Sequence, residues 1–212
     1  MASPTLEKIG PGAPRPPQGP DESGPGGRGD RGSPGILGDP SRFGLLAFLG
    51  TVSMLFVGFT SAYILRRASA DWQPLSAPGI LWVNTAILVA SSVSLEVARR
   101  SLRSWDLAAA QKWMAGTAVL GLSFLAGQVL GWRELQARGV FLSSNPHSAF
   151  FYLLTGVHAL HLVGGLVWGF VTLWRLRRLA VTPGGDGLSL FATYWHFLGA
   201  LWLYLLFLLF VY

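Results

Sequence analysis

The chain contains no cysteine. Disulfides, iron–sulfur ligation and thiolate metal sites are therefore excluded. Charge is the next scarcity: 12% of the 212 residues are Asp, Glu, Lys or Arg, against about 25% in an ordinary soluble domain. The 51% apolar content then reads as lipid-facing surface rather than as a large core. Carboxylates are missing from the middle of every apolar stretch, and a proton relay needs titratable groups in series. Short alternating segments, the mark of a membrane β-barrel, are also absent. So are the internal repeat and interrupted helices of a secondary transporter. No apolar run opens the chain. The first begins at Phe43 and has full spanning length, so it is expected to be an uncleaved anchor rather than a cleaved signal peptide.

What is present is five apolar segments, approximately Phe43–Leu65, Gly79–Ala98, Trp113–Trp132, Ser148–Trp174 and Phe191–Tyr212. About 20 residues at 1.5 Å rise cross a hydrocarbon layer of about 30 Å. Backbone groups in lipid must be bonded within their own segment, so the segments are helices. The predicted fold is an all-α, polytopic transmembrane bundle of five helices over residues 43–212. Residues 1–42 hold ten glycines and nine prolines and bury too little to offset their ordering entropy, which predicts a disordered cytoplasmic tail. Within it, Gly26 to Pro40 runs as five Gly-x-y triplets, short for a collagen helix. Arg28-Gly29-Asp30 is a chance tripeptide of that composition.

The net charge of +6 does not predict nucleic-acid binding, because the basic residues sit in short clusters between apolar runs. Arg31, Arg42, Arg99, Arg100, Arg103, Lys112, Arg175, Arg177 and Arg178 fall on one side; Arg66, Arg67, Arg133 and Arg138 fall on the other. This excess places the N-terminus in the cytoplasm and Tyr212 outside. Trp72, Trp82 and Trp132 are expected near the outer boundary, and Trp105, Trp113 and Trp174 near the inner one, as interfacial belts. The clusters Arg99, Arg100, Arg103 and Arg175, Arg177, Arg178 either contact anionic lipid head groups, at about 1 kcal/mol per charge, or only set topology.

Few side chains inside the segments could carry chemistry. His158, His161, His196 and Glu96 are the ionisable ones, and such residues are functional candidates by default. A neutral imidazole bonded to a neighbouring helix is the competing reading. Bis-histidine haem ligation needs two histidines facing each other at one depth. His158 and His161 are about 60° apart on one helix, and His196 lies roughly 10 Å away in depth from His161. Glu96 is expected to pair with Arg99 or Arg100. Ser53, Ser91, Ser92, Asn84 and Gln128 are candidates for interhelical hydrogen bonds, each contributing about 1 kcal/mol or less. Gly127-x-x-x-Gly131 and Gly165-x-x-x-Gly169, with Gly50, Gly58, Gly156 and Gly164, offer small ridges for close helix packing.

Several of these residues form a recognisable set. Tyr194-Trp195-His196-Phe197 followed by Trp202, Gly156-Val157-His158-Ala159-Leu160-His161 followed by Gly164, Asn84-Thr85 followed by Ser91-Ser92-Val93, and Val57-Gly58-Phe59 to Tyr63 resemble subunit III of the haem–copper terminal oxidases, here in its shorter five-helix bacterial form. The resemblance covers about residues 43–212. It implies a multi-pass subunit of the bacterial cytoplasmic (inner) membrane with no haem, copper or catalytic centre of its own. Haem and copper are expected in the partner subunits. In the family this subunit packs on the catalytic subunit I, alongside subunit II, holds phospholipid, and supports proton uptake and durability. It further implies that His158, His161, Trp195, His196, Trp202 and Asn84 are packing and lipid-contact residues. Three carboxylates frequent in the family are replaced by Val52, Gly131 and Gly199, so their roles do not carry over. Two other expectations remain open on the residues alone: an accessory subunit of a nitric-oxide reductase system, which the lost carboxylates would suit, and a stand-alone haem-binding membrane cytochrome.

Overall fold

A computed structural model of the chain describes residues 40–73, 78–178 and 186–211. The Gly-Pro-rich segment, its collagen-like register and Arg28-Gly29-Asp30 lie outside the described residues. Those that are described contain five helices: α1 Pro40–Arg67, α2 Ile80–Arg103, α3 Leu107–Ala137, α4 Pro146–Arg177 and α5 Asp186–Phe210. All five are long and apolar enough to cross a membrane. Each extends beyond its sequence-predicted span at one or both ends, because polar residues at a helix end keep their backbone bonds while their side chains reach water. Pro40, Ser41 and Arg42, expected in the tail, belong to α1; proline costs nothing in a first turn, where its missing N–H would have no partner.

Local chemistry sets the turns. Asp106 caps α3 by accepting from the Ala109 amide at 2.9 Å. Asn145 and Ser148 form a reciprocal capping box at the start of α4, with Pro146 in its first turn, so that end is held rigid where the chain re-enters the bundle. After α3 the chain reverses through Gly139 at φ +78°, a left-handed conformation that costs glycine little. Trp105, between α2 and α3, adopts φ +63°, where a Cβ is unfavourable.

Neighbouring backbones approach in the order α2, α3, α4, α5 and back to α2, giving a four-helix ring. α1 lies outside it, against α4 and α5, and its backbone does not approach α2 or α3. The seam is aromatic: Phe48 meets the rings of His161 and Tyr194 at 6.4 and 6.0 Å, and Phe56 meets His161 at 6.1 Å. The ring's interior is filled by Trp195, Trp202, Phe124, Phe151 and Phe191. Phe124 and Trp202 pack edge to face at 4.9 Å.

The glycine pairs work as seats for side chains. A Cβ on Gly127 would lie 1.9 Å from the Asn84 carboxamide oxygen. One on Gly121 would lie 2.8 Å from the Trp195 ring, and Gly165 and Gly169 accept Tyr194 and Phe191 in the same way. Gly50, Gly58, Gly156 and Gly164 have no neighbour within 4 Å of such a Cβ. Of the two uses expected for such ridges, packing on a neighbouring helix or on a partner, these four do not serve the first among the described residues. They face outward, since the internal contacts are made by the opposite sides of α1 and α4.

Candidate functional site

The polar interior is built from one repeated device. An indole buried among helices has an N–H that must find an acceptor, and in an apolar span the cheapest is a hydroxyl on the next helix. Trp195 Nε1 donates to Ser91 Oγ at 2.9 Å and Trp202 Nε1 to Thr85 Oγ1 at 3.1 Å, both joining α5 to α2. Trp132 Nε1 donates to Thr155 Oγ1 at 3.1 Å, joining α3 to α4. Each hydroxyl passes its own hydrogen to a carbonyl: Thr85 to Leu81, Thr155 to Phe151, Ser91 to Thr117. Neutral groups thus satisfy one another without placing a charge in the bilayer. The sequence reading singled out Ser91 but not Thr85 or Thr155 as acceptors. The available signal was the three tryptophans themselves.

The histidines are drawn apart. His158 is fully buried against Trp202 (5.4 Å) and Phe124 (6.2 Å) inside the ring. His161 turns towards α1 instead, its Nδ1 2.8 Å from the Val157 carbonyl, while Tyr194 Oη donates to the His161 carbonyl at 2.9 Å. His196 lies on the outer side of α5, sharing a groove with Glu96 and Ser92 of α2. Among the described residues, no group of three or more His, Asp or Glu side chains could hold a metal ion. The fourth histidine, His147, has a role the sequence reading missed. It stacks on Trp72 at 4.8 Å, and its Nε2 lies 3.0 Å from the Leu209 carbonyl, which joins the start of α4 to the end of α5. Trp72 and Trp132 therefore do more than sit in a belt, because both turn inward to partners. Trp82, Trp105, Trp113 and Trp174 remain exposed.

The remaining polar candidates divide. Asn84 Nδ2 donates to the Phe124 carbonyl at 3.4 Å across the α2–α3 seam. Ser53 bonds its own helix, to Leu49 O, rather than a neighbour. Gln128 is buried with neither amide atom bonded, as are both ring nitrogens of His158. Glu96 pairs with Arg99 at 2.8 Å and more loosely with Arg100 at 3.7 Å, as expected. Arg99 also reaches Ser189 Oγ at 3.4 Å, tying α2 to the start of α5. Arg103, Arg175 and Arg177 are exposed, and Arg178 lies over the Trp174 ring at 5.4 Å. Gln111 of early α3 donates to Leu176 O of late α4, so both arginine clusters occupy the same end of the bundle.

Val52, Gly131 and Gly199, where the resemblance implies carboxylates in relatives, stand in three different surroundings. Val52 is buried in the α1 seam, where a carboxylate would need desolvation. A Cβ at Gly131 would lie 3.3 Å from Ile80 Cγ2, so α2 and α3 leave little room for a longer chain there. Gly199 lines the α2–α5 groove beside Ser92.

Fold and interior together define a multi-pass membrane protein whose polar groups bond helix to helix. Residues 38–212 match the family Cytochrome c oxidase subunit III. The chain is 33% identical over 184 residues to the cytochrome c oxidase subunit 3 of Synechocystis sp., covering 82% of this chain and 76% of that one. It is 34% identical over 178 residues to that of Thermostichus vulcanus, covering 79% and 85%. A probable cytochrome c oxidase subunit 3 of Mycobacterium bovis is 30% identical over 166 residues, covering 76% and 82%. The chain belongs to the cytochrome c oxidase subunit III family, as the resemblance of its histidine and tryptophan motifs implies.

Proposed function

We propose that this chain is a non-catalytic subunit of a respiratory haem–copper oxidase in a bacterial inner membrane, with the arginine-rich end of the bundle in the cytoplasm. It packs beside the catalytic subunit I, in a complex that also contains subunit II. It retains phospholipid and sustains proton uptake and durability in that partner. The observation that carries the reading is the use of the buried polar groups. The indoles of Trp195, Trp202 and Trp132 are consumed in helix–helix bonds, while His158 and His161 point to different neighbours. Such an interior suits a scaffold for a redox partner rather than a redox centre. The outward-facing glycines of α1 and α4 would allow another helix to approach closely.

Purification of the tagged full chain from its native membrane in mild detergent tests this. Haem absorbance and oxygen consumption are expected to co-purify, and His161→Ala is expected to leave the haem bands unshifted. A colourless preparation without oxidase activity would overturn the assignment.

A further inference from the structure

Among the described residues, Trp105 is the one residue other than glycine at positive φ, +63°. Two bonds hold it there. The Asp106 amide donates to the Ser101 carbonyl at 3.0 Å, and the Trp105 amide donates to the Leu102 carbonyl at 3.2 Å. This pair closes the end of α2 in a pattern that glycine usually completes from the Trp105 position. Asp106 then starts α3 as its cap. A bulky aromatic residue is thus fixed in a conformation that disfavours it, and it gains little packing in return, because Trp105 is 70% exposed. Its level along the bundle also differs from that of Trp113. Lys112 and Arg133 bracket the apolar part of α3, residues 113–132, which at 1.5 Å per residue matches a hydrocarbon layer of about 30 Å. α3 begins at Leu107, about 9 Å beyond that edge, whereas the head groups on one side are only about 5–8 Å deep. The α2–α3 turn therefore stands in water past the lipid. Cations dominate it. Arg103 and Lys112 are exposed, and Arg100, 75% exposed, meets Glu96 only at 3.7 Å. The turn's own carboxylate, Asp106, is engaged by the Ala109 amide.

We propose that the α2–α3 turn is a docking point for an acidic segment of a neighbouring protein, with the Trp105 indole seated in an apolar pocket of that partner and Arg100, Arg103 and Lys112 facing its carboxylates. Tryptophan and arginine are the side chains that most often dominate the binding energy of protein interfaces. The surrounding cations select an acidic partner and speed its approach. The strain then has a purpose. Glycine at residue 105 would close the helix end at lower cost, but it would leave no ring to bury in a partner.

Photo-cross-linking of the full chain in its native membrane tests this, with p-benzoylphenylalanine in place of Trp105 or, as a control, of Trp113. Irradiation is expected to join position 105 to one protein, through a peptide that mass spectrometry maps to a run of Asp and Glu. Position 113 should give lipid adducts instead. Raising salt from about 0.05 M to about 0.5 M should reduce the protein adduct about fivefold. Arg103→Gln combined with Lys112→Gln should do the same at low salt. Trp105→Gly separates docking from folding. Its unfolding midpoint in denaturant should rise, because glycine accepts the left-handed conformation, while retention of the cross-linked partner through purification should fall at least tenfold. Undiminished retention in Trp105→Gly would overturn the proposal. So would lipid adducts alone at position 105, a cross-link to residues 1–39 of this chain, or a contact peptide without carboxylates. The identity of the captured protein keeps the two readings apart: an acidic partner foreign to any oxidase would leave the docking point standing and defeat the oxidase assignment.

Discussion

Gly127 and Asn84 show how much a single atom decides in this interior. Asn84 occupies the space where a Cβ of residue 127 would stand, so Gly127→Ala must displace a buried carboxamide. Overpacking of this kind costs about 1–3 kcal/mol. The expected outcome is a clear loss of stability in denaturant titration of the detergent-solubilised chain. Gly127→Ala combined with Asn84→Ala should recover most of it, because the collision is removed; an additive double variant would show that the clash is not the cause. Gln128 makes the opposite case. Its amide is buried without a partner, and an unsatisfied buried polar group costs about 1–3 kcal/mol. Gln128→Leu, similar in size, is expected to raise the unfolding midpoint; a fall would mean that the amide is satisfied in the membrane.

Among the elements, α4 and α5 carry most of the organisation. The start of α4 is set twice, by the Asn145–Ser148 capping box and by His147 reaching Leu209 of α5. Asn145→Ala is expected to cost about 1 kcal/mol and to speed amide hydrogen exchange selectively in the first turn of α4. Unchanged exchange at Ser148 would show that the tertiary contacts of His147 alone hold that turn. The α5–α2 seam depends on Trp195–Ser91 and Trp202–Thr85. Thr85→Val removes the acceptor while keeping the shape, leaving the Trp202 N–H buried without a partner. Membrane hydrogen bonds average about 0.6 kcal/mol, so a small destabilisation is expected, and it should vanish when Thr85→Val is made in a Trp202→Phe background, whatever Trp202→Phe costs by itself. An equal cost of Thr85→Val in both backgrounds would assign the effect to packing.

At the scale of the whole molecule, the absence of cysteine is an experimental asset. Single cysteines placed at Arg103, the last residue of α2, and at Ser143, between α3 and α4, mark opposite ends of the bundle. In intact cells an impermeant maleimide is expected to label Ser143→Cys and not Arg103→Cys. The reverse pattern would invert the proposed topology. The same bundle presents two kinds of outer surface. α1 and α4 expose glycine-bearing faces without a neighbour among the described residues, and α5 lies at the bottom of a groove. Small residues on an outer face let another helix approach closely.

The five spans, their helical nature and the family resemblance were legible in the residues, since each follows from local quantities: apolar run length, internal backbone bonding in lipid, and motifs contained within one or two turns. The pairing of Glu96 with Arg99 was legible for the same reason, being a contact between successive turns of one helix. What only the tertiary structure decided is the direction each side chain takes across helices. Spacing alone put His158 and His161 about 60° apart, and the packing of α1 outside the ring then sent one to the core and the other to the seam. It likewise assigned Gly127 to Asn84, left Gly164 facing outward, gave Ser53 to the Leu49 carbonyl of its own helix, and separated α1 from α2 to open the groove. A linear pattern records how apolar a turn is. Which neighbour fills it depends on helix rotation and order in the bundle, which arise from fitting large rings into small seats and are written in no single segment.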